Sequence, residues 1–81
     1  MKIEVRLFAS LRRHLPPGSA GGRGSLEVED RLTVESLIQK LQIPMELAQL
    51  VLVNGENIER DFTRPLQDGE VVSIFPPVAG G

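Results

Sequence analysis

The sequence predicts an α+β domain in which a mixed sheet of four to five strands packs on one main helix and the chain leaves the sheet as an extended C-terminal tail. Three stretches carry this reading. Ile3, Val5 and Leu7 alternate with Lys2, Glu4, Arg6 and Phe8, the period of a half-buried strand. Val34, Leu37, Ile38 and Leu41 recur at i, i+3, i+4 and i+7, which lays one apolar stripe along a helix. Val72 and Ile74 alternate with Val71, Ser73 and Phe75 in a closing strand that Pro76 and Pro77 stop.

Between these stretches the remaining elements follow in order. Ala9 to Leu15 is expected to form a short helix, with Phe8, Leu11 and Leu15 at compatible spacing, until Pro16-Pro17 ends it. Pro16 to Gly24 is rich in Pro, Gly and Ser and is expected to be a mobile connection. Its Gly21-Gly22-Arg23-Gly24 run lacks the Lys-Ser/Thr ending and the following helix of a phosphate-binding loop. Leu26 and Val28, alternating with Ser25, Glu27 and Glu29, suit a second strand antiparallel to the first. Thr33 is the expected N-cap of the main helix, with Glu35 in its first turn and Lys40 in its last, as the helix dipole prefers. Ile43-Pro44 breaks that helix, and Met45 to Gln49 gives one more turn before a third strand over Leu50 to Val53. Asn54-Gly55 permits a tight reversal into a short return strand from Glu56 to Glu59, with Ile58 inward. Asp61 to Gln67 crosses the end of the sheet on Phe62 and Leu66, and Asp68-Gly69 turns the chain into its last strand. His14 has no evident partner and is expected to face solvent. The folded domain is expected over residues 1–75 and the tail over 76–81.

Composition narrows the function. A chain of 81 residues makes one small domain with a modest core. Its net charge of −2 argues against binding nucleic acid through phosphate contacts and suggests protein partners. Without cysteine there is no disulfide, no thiolate nucleophile and no Cys-based metal site, and no metal is expected. No apolar run reaches ~18 residues and no signal-peptide pattern is present, so the expectation is a cytoplasmic protein with no membrane partner. One His, no Trp and no Tyr leave few groups for acid–base catalysis or base stacking. With no nucleophile, metal cluster or carboxylate pair in view, the chain is not expected to be an enzyme on its own.

Chemistry is therefore sought in the tail, Phe75-Pro76-Pro77-Val78-Ala79-Gly80-Gly81. Pro76 and Pro77 have no amide hydrogen and fix φ near −65°, so they end the strand ladder and send the chain outward in a stiff, extended form. From Pro76 to Gly81 the tail can reach roughly 20 Å, enough to enter a cleft on a partner. Gly80 and Gly81 lack side chains, so a narrow channel can admit the backbone and no Cβ shields the terminal carbonyl carbon. A terminal carboxylate has a reference pKa of about 3.5 and is a poor electrophile until a phosphate-type leaving group is attached. That activation needs ATP and another protein, because the chain has neither a P-loop nor a dinucleotide-binding fingerprint. A terminal Gly-Gly alone arises by chance in roughly one chain in 200, so it gains weight only from the Phe-Pro-Pro-Val-Ala that precedes it.

The stretch from Leu66 through Asp68-Gly69 to Gly81 resembles the C-terminus of the molybdopterin synthase small subunit, a sulfur-carrier family. Leu7-Phe8-Ala9-Ser10-Leu11-Arg12 resembles that family's first strand running into its first helix, and Val53-Asn54-Gly55 its central hairpin. The likeness covers almost the full chain and is weakest between about Pro16 and Arg31. It implies a β-grasp, or ubiquitin-like, fold with the first and last strands as central neighbours. It also implies a reaction cycle. A ubiquitin-activating-enzyme-like adenylyltransferase adenylates Gly81 with ATP, and a sulfur donor converts the acyl adenylate to a thiocarboxylate. The tail then inserts into the large subunit of molybdopterin synthase, where the sulfur passes to a pyranopterin precursor of the molybdenum or tungsten cofactor. On this resemblance the chain binds no cofactor itself, is a monomer alone and joins the large subunit in a hetero-oligomer. Gly81 is the reactive residue, Gly80, Ala79, Pro77 and Pro76 pass the tail, Val78 anchors it, and Phe8, Arg12 and Phe75 belong to the docking face. For Phe8 and Arg12 a peripheral core residue and a solvated charge remain open readings.

Two alternatives stand beside this one. Similar carriers serve thiamin thiazole synthesis or tRNA thiolation, or become attached to lysines of other proteins. The other is a β-grasp binding module that does no covalent chemistry and for which the tail is incidental.

Overall fold

A computed structural model describes residues 1–78. Its elements are β1 (Lys2–Leu7), a 3₁₀ segment (Ala9–His14), β2 (Arg23–Glu27), α1 (Val34–Lys40), a 3₁₀ turn (Met45–Leu47), β3 (Leu50–Val53), β4 (Glu56–Asn57) and β5 (Val71–Phe75). The strands form a single mixed sheet in the order β2-β1-β5-β3-β4. β1 runs antiparallel to β2 and parallel to β5, while β3 runs antiparallel to both β5 and β4. This is the expected β-grasp arrangement, with the first and last strands at its centre.

Alternation decides which face of the sheet is covered. Ile3, Val5 and Leu7 of β1, Val72 and Ile74 of β5, and Val51 and Val53 of β3 all point to one side and are buried. Val34, Leu37, Ile38 and Leu41 from the helical segment meet them there. Burying each such side chain contributes about 1.5–3 kcal/mol, the dominant favourable term in a domain this small. At seven residues α1 is too short to persist alone. Its N-terminal end is held: the Ser36 amide donates to Thr33 Oγ1 (3.2 Å), and the amides of Val34 and Glu35 donate to the carbonyls of Arg64 (3.0 Å) and Phe62 (2.9 Å). Gln42 at φ 59° and Pro44 then end the helical run.

A carboxylate fixes the start of β5. Glu70 is buried, and its oxygens accept from the Gln67 amide (2.7 Å), Arg64 Nη2 (3.2 Å) and Asn54 Nδ2 (3.4 Å). Asn54 Oδ1 in turn accepts from the Val71 amide (2.9 Å). The Asn54-Gly55 turn, both residues at positive φ, is thereby clamped to the turn at Gly69.

Four expectations are corrected. Ala9–His14 is a 3₁₀ segment: only Leu11 of its residues is buried, Phe8 points to the opposite face of the sheet, and Leu15, which packs on the core, already lies in extended backbone beyond it. The Pro16–Gly24 stretch is tied down: Ser19 Oγ donates to the Pro16 carbonyl (2.6 Å), and Ala20 and Arg23 exchange two backbone hydrogen bonds (3.1 Å each) around Gly21 (φ 64°) and Gly22 (φ 77°). That is a two-residue hairpin turn of the kind positive φ allows, so β2 begins at Arg23, two residues before the alternating Ser25–Glu29 pattern. The return strand β4 stops at Asn57, since Glu59 and Arg60 both adopt positive φ and Asn57 Oδ1 takes the Glu59 amide (2.7 Å). His14 is half-buried, with Nδ1 3.1 Å from the Leu41 carbonyl at the end of α1.

Candidate functional site

The face of the sheet that no helix covers holds the candidate site. Phe8 directly follows β1 in extended backbone (φ −120°, ψ 150°), so it continues that strand's alternation on the side of Glu4 and Arg6. Phe75 occupies the same side of β5 as Val71 and Ser73. Leu7 and Ile74 are paired across the parallel β1–β5 ladder, which brings the next residues, Phe8 and Phe75, side by side. Their rings stack with centroids 4.0 Å apart and planes 7° apart. On the other flank Leu50 of β3 pairs with Phe75 and is 38% exposed. Three strands thus supply an apolar row, Phe8–Phe75–Leu50, at the end of the sheet where β5 leaves it.

Behind that end the face is of mixed polarity. One row back the sheet presents Arg6, Ser73 and Leu52, and the row behind presents Glu4 and Val71. The apolar row opens into a shallow groove of ≈ 630 Å³ between Phe8, Ala9 and Ser10 on one side and Gln49 and Leu50 on the other, with Pro76 to Val78 along it. Ala9 holds φ 52°, a left-handed conformation that costs an alanine roughly 1–2 kcal/mol. This bend turns the chain out of β1 immediately after Phe8 and leaves the ring half-buried at the end of the sheet.

The exit of the tail follows from the same chemistry. The Phe75 carbonyl accepts the last ladder bond, from the Gln49 amide (3.0 Å), and neither Pro76 nor Pro77 has an N–H with which to extend it. Pro76 is half-buried beside the aromatic pair, Pro77 is exposed, and Val78 is 83% exposed. Ala79, Gly80 and Gly81, on which the tail reading places passage and chemistry, lie outside the described residues.

Of the residues the sequence assigns to a docking face, the structure brings Phe8 and Phe75 into direct contact. Arg12 is not part of that stack; it is exposed on the 3₁₀ segment over the Gly22 turn and lines a neighbouring hollow that also touches Phe8. Leu50 and Ala9 join the site without having been singled out. For Leu50 the signal was present, because alternation with buried Val51 and Val53 must turn it outward. For Ala9 no residue type announces the bend. Among the described residues no group of three or more His, Cys, Asp or Glu is placed to hold a metal ion, and no helix is long and apolar enough to cross a membrane.

The relatives of this β-grasp chain place it in the class of small sulfur carriers and ubiquitin-like modifiers. The chain belongs to the ThiS family, whose model matches residues 5–81. It is 34% identical to the molybdopterin synthase sulfur carrier subunit of Escherichia coli, over 98% of this chain and 99% of that protein. It is 31% identical to small archaeal modifier protein 3 of Haloferax volcanii, over the whole of both chains. Among solved structures it resembles a chain in the complex of subunits 1 and 2 of molybdopterin-converting factor from Helicobacter pylori, with a TM-score of 0.61, 27% identity and full coverage of both chains.

Proposed function

We propose that the protein is the sulfur-carrying small subunit of a molybdopterin synthase. The observation that carries this is the joining of Phe8, Phe75 and Leu50 into one apolar row at the point where β5 releases Pro76-Pro77-Val78 toward Gly81. A partner that covers the row receives the tail in a fixed direction. Docking on a rigid sheet then positions the reacting end without ordering the whole domain. The E. coli relative and the H. pylori complex support a large synthase subunit as that partner.

In this cycle a ubiquitin-activating-enzyme-like partner joins the Gly81 carboxylate to the α-phosphate of ATP and releases pyrophosphate. Sulfur at the sulfide level displaces AMP to leave the thiocarboxylate, and a persulfide donor requires in addition a thiol that reduces the acyl disulfide it first forms. In the large subunit the thiocarboxylate sulfur bonds to a carbon of a pyranopterin precursor, and water cleaves the acyl–sulfur bond to return the Gly81 carboxylate. Acid and base for that last step come from the large subunit.

The test is alkylation of the protein, purified with its cellular partners, by a thiocarboxylate-selective reagent, followed by mass analysis of the C-terminal peptide. Total mass alone misleads, because exchanging oxygen for sulfur adds nearly what oxidation of Met1 or Met45 adds. Reagent uptake on the peptide ending in Gly81 supports the carrier. An unmodified peptide, even with an activating enzyme, ATP and a sulfur source, leaves the binding-module reading as the better one. The full-length likeness to small archaeal modifier protein 3 favours a second reading, attachment to lysines of other proteins, which the same sample reveals as isopeptide-linked Gly81 remnants on those lysines. Deleting Gly81 should abolish sulfur transfer while leaving the unfolding midpoint unchanged, and retained transfer by the deletion variant would rule the proposal out.

A further inference from the structure

Charge is distributed unevenly along this chain. Residues 5–26 contain Arg6, Arg12, Arg13 and Arg23 and no acidic residue, although the whole chain carries 11 Asp and Glu against 9 Lys and Arg. The fold then gathers three of these arginines. Arg6 and Arg23 are directly paired across β1 and β2, on the uncovered face. Arg12 reaches the turn that joins those strands: a Cβ built on Gly22 would stand 3.3 Å from its Nε and 3.2 Å from the Leu7 carbonyl. A side chain at Gly22 would therefore push Arg12 away.

Together Arg6, Arg12, Arg23, Gly21 and Gly22 line a hollow of ≈ 180 Å³ that shares Phe8 with the apolar row. Arg6 is paired with Glu4 at 2.6 Å. Arg12 and Arg23 have no acidic partner among the described residues, so two guanidinium groups sit beside the docking row with their charge uncompensated. Planar guanidinium groups favour paired hydrogen bonds to carboxylate or phosphate. Volume and continuity choose between these ligands. Small-molecule pockets run to about 300–1,000 Å³, so the hollow suits a side-chain carboxylate better than a nucleotide. The shared Phe8 means that a ligand filling both regions must offer apolar and acidic groups on one backbone.

We propose that Arg6, Arg12 and Arg23 form a carboxylate socket for an acidic segment of the partner protein that docks on the Phe8–Phe75–Leu50 row. The socket rests on the docking reading above and adds the partner's chemistry: a glutamate or aspartate side chain adjoining apolar residues that cover the row. Such a pairing fixes the register of docking and speeds encounter more than it adds raw affinity. Binding is accordingly sensitive to salt, because the Debye length shortens from about 20 Å near 20 mM to about 8 Å near 150 mM.

The test follows arginine Nε–H signals of the ¹⁵N-labelled full chain by NMR. Three probes are titrated in parallel: a blocked hexapeptide of alternating glutamate and leucine, the same peptide with glutamine for glutamate, and inorganic phosphate. Saturable shifts at Arg6, Arg12 and Arg23, with Arg31 and Arg60 unmoved, are expected for the glutamate peptide alone. The double variant Arg12→Gln/Arg23→Gln, both at exposed positions, should keep the amide spectrum of a folded chain and lose about tenfold in affinity. Three outcomes overturn the socket: no selective shift, equal response to the glutamine peptide, or phosphate moving the same signals as strongly. Alkylation at Gly81 is read separately, so a failed socket with a labelled tail leaves the carrier reading standing, and the converse result separates them equally well.

Discussion

Single residues set the two ends of β5 and the bend beside it. Ala9 is held at φ 52°, where a glycine would lose the roughly 1–2 kcal/mol of steric strain and give back about 0.5–1 kcal/mol in chain entropy. Ala9→Gly should therefore raise the urea midpoint by an amount equivalent to about 0.5–1 kcal/mol, and a lowered midpoint would show that the bend is unstrained. At the opposite end, Glu70→Ala removes three hydrogen bonds and leaves Arg64, whose Nη1 is already buried without a partner, with no acid to face. Charged hydrogen bonds of this kind are worth about 1.5–3 kcal/mol, so a loss of about 2–3 kcal/mol is expected in equilibrium unfolding. A loss below about 0.5 kcal/mol would mean that the clamp does not hold β5. These roles were hidden in the sequence for a plain reason. No residue type marks left-handed Ala9, Glu59 and Arg60, Arg60 reaches back to the carbonyls of Ala48 and Gln49, and Glu70 meets Asn54 across 16 residues. The Thr33 cap, whose partner Ser36 is local, could be read directly.

At the scale of elements, the parallel β1–β5 ladder does the positioning, because its register alone sets Phe8 beside Phe75. Stacked aromatic pairs contribute about 0.5–1.5 kcal/mol beyond the area they bury. A double-mutant cycle of Phe8→Ala and Phe75→Ala should therefore give a coupling energy in that range, measured by denaturant unfolding, and strictly additive losses would mean that the rings do not interact. Helix α1 and strands β1, β3 and β5 were legible because each has a one-sided apolar pattern that survives in the folded domain. The Ala9–His14 segment misled because Phe8 counts toward a helical stripe on paper yet belongs to the other face of the sheet. β4 is shorter than its sequence suggests because the left-handed turn at Glu59-Arg60 has no glycine to mark it. The hairpin tip at Gly21-Gly22 reads as a mobile connection because two glycines signal freedom and a tight turn equally well.

Across the whole molecule, stability should fall from the centre of the sheet outward. β1 and β5 are flanked on both sides, whereas β2 and the short β4 are edges. Native-state hydrogen exchange is expected to be slowest at Val5, Val72 and Ile74 and faster at Ser25 and Asn57, each group ranked by opening free energy. Equal protection at the β4 edge would show that the domain opens only as one unit. The apolar row on the helix-free face belongs to this scale too, since no single strand reveals that Phe8, Phe75 and Leu50 share it. The parallel central pair has a practical corollary. Met1 and the start of β5 lie at one end of the sheet, and Phe75 with Pro76 and Pro77 lies at the other, about 13 Å from Val71 along the strand. Anything joined ahead of Met1, whether a purification handle, a fluorophore or a surface linker, is directed away from the pole where Pro76 and Pro77 leave the sheet. The protein can thus be immobilised by its amino terminus while the Phe8–Phe75–Leu50 row at the opposite pole stays open.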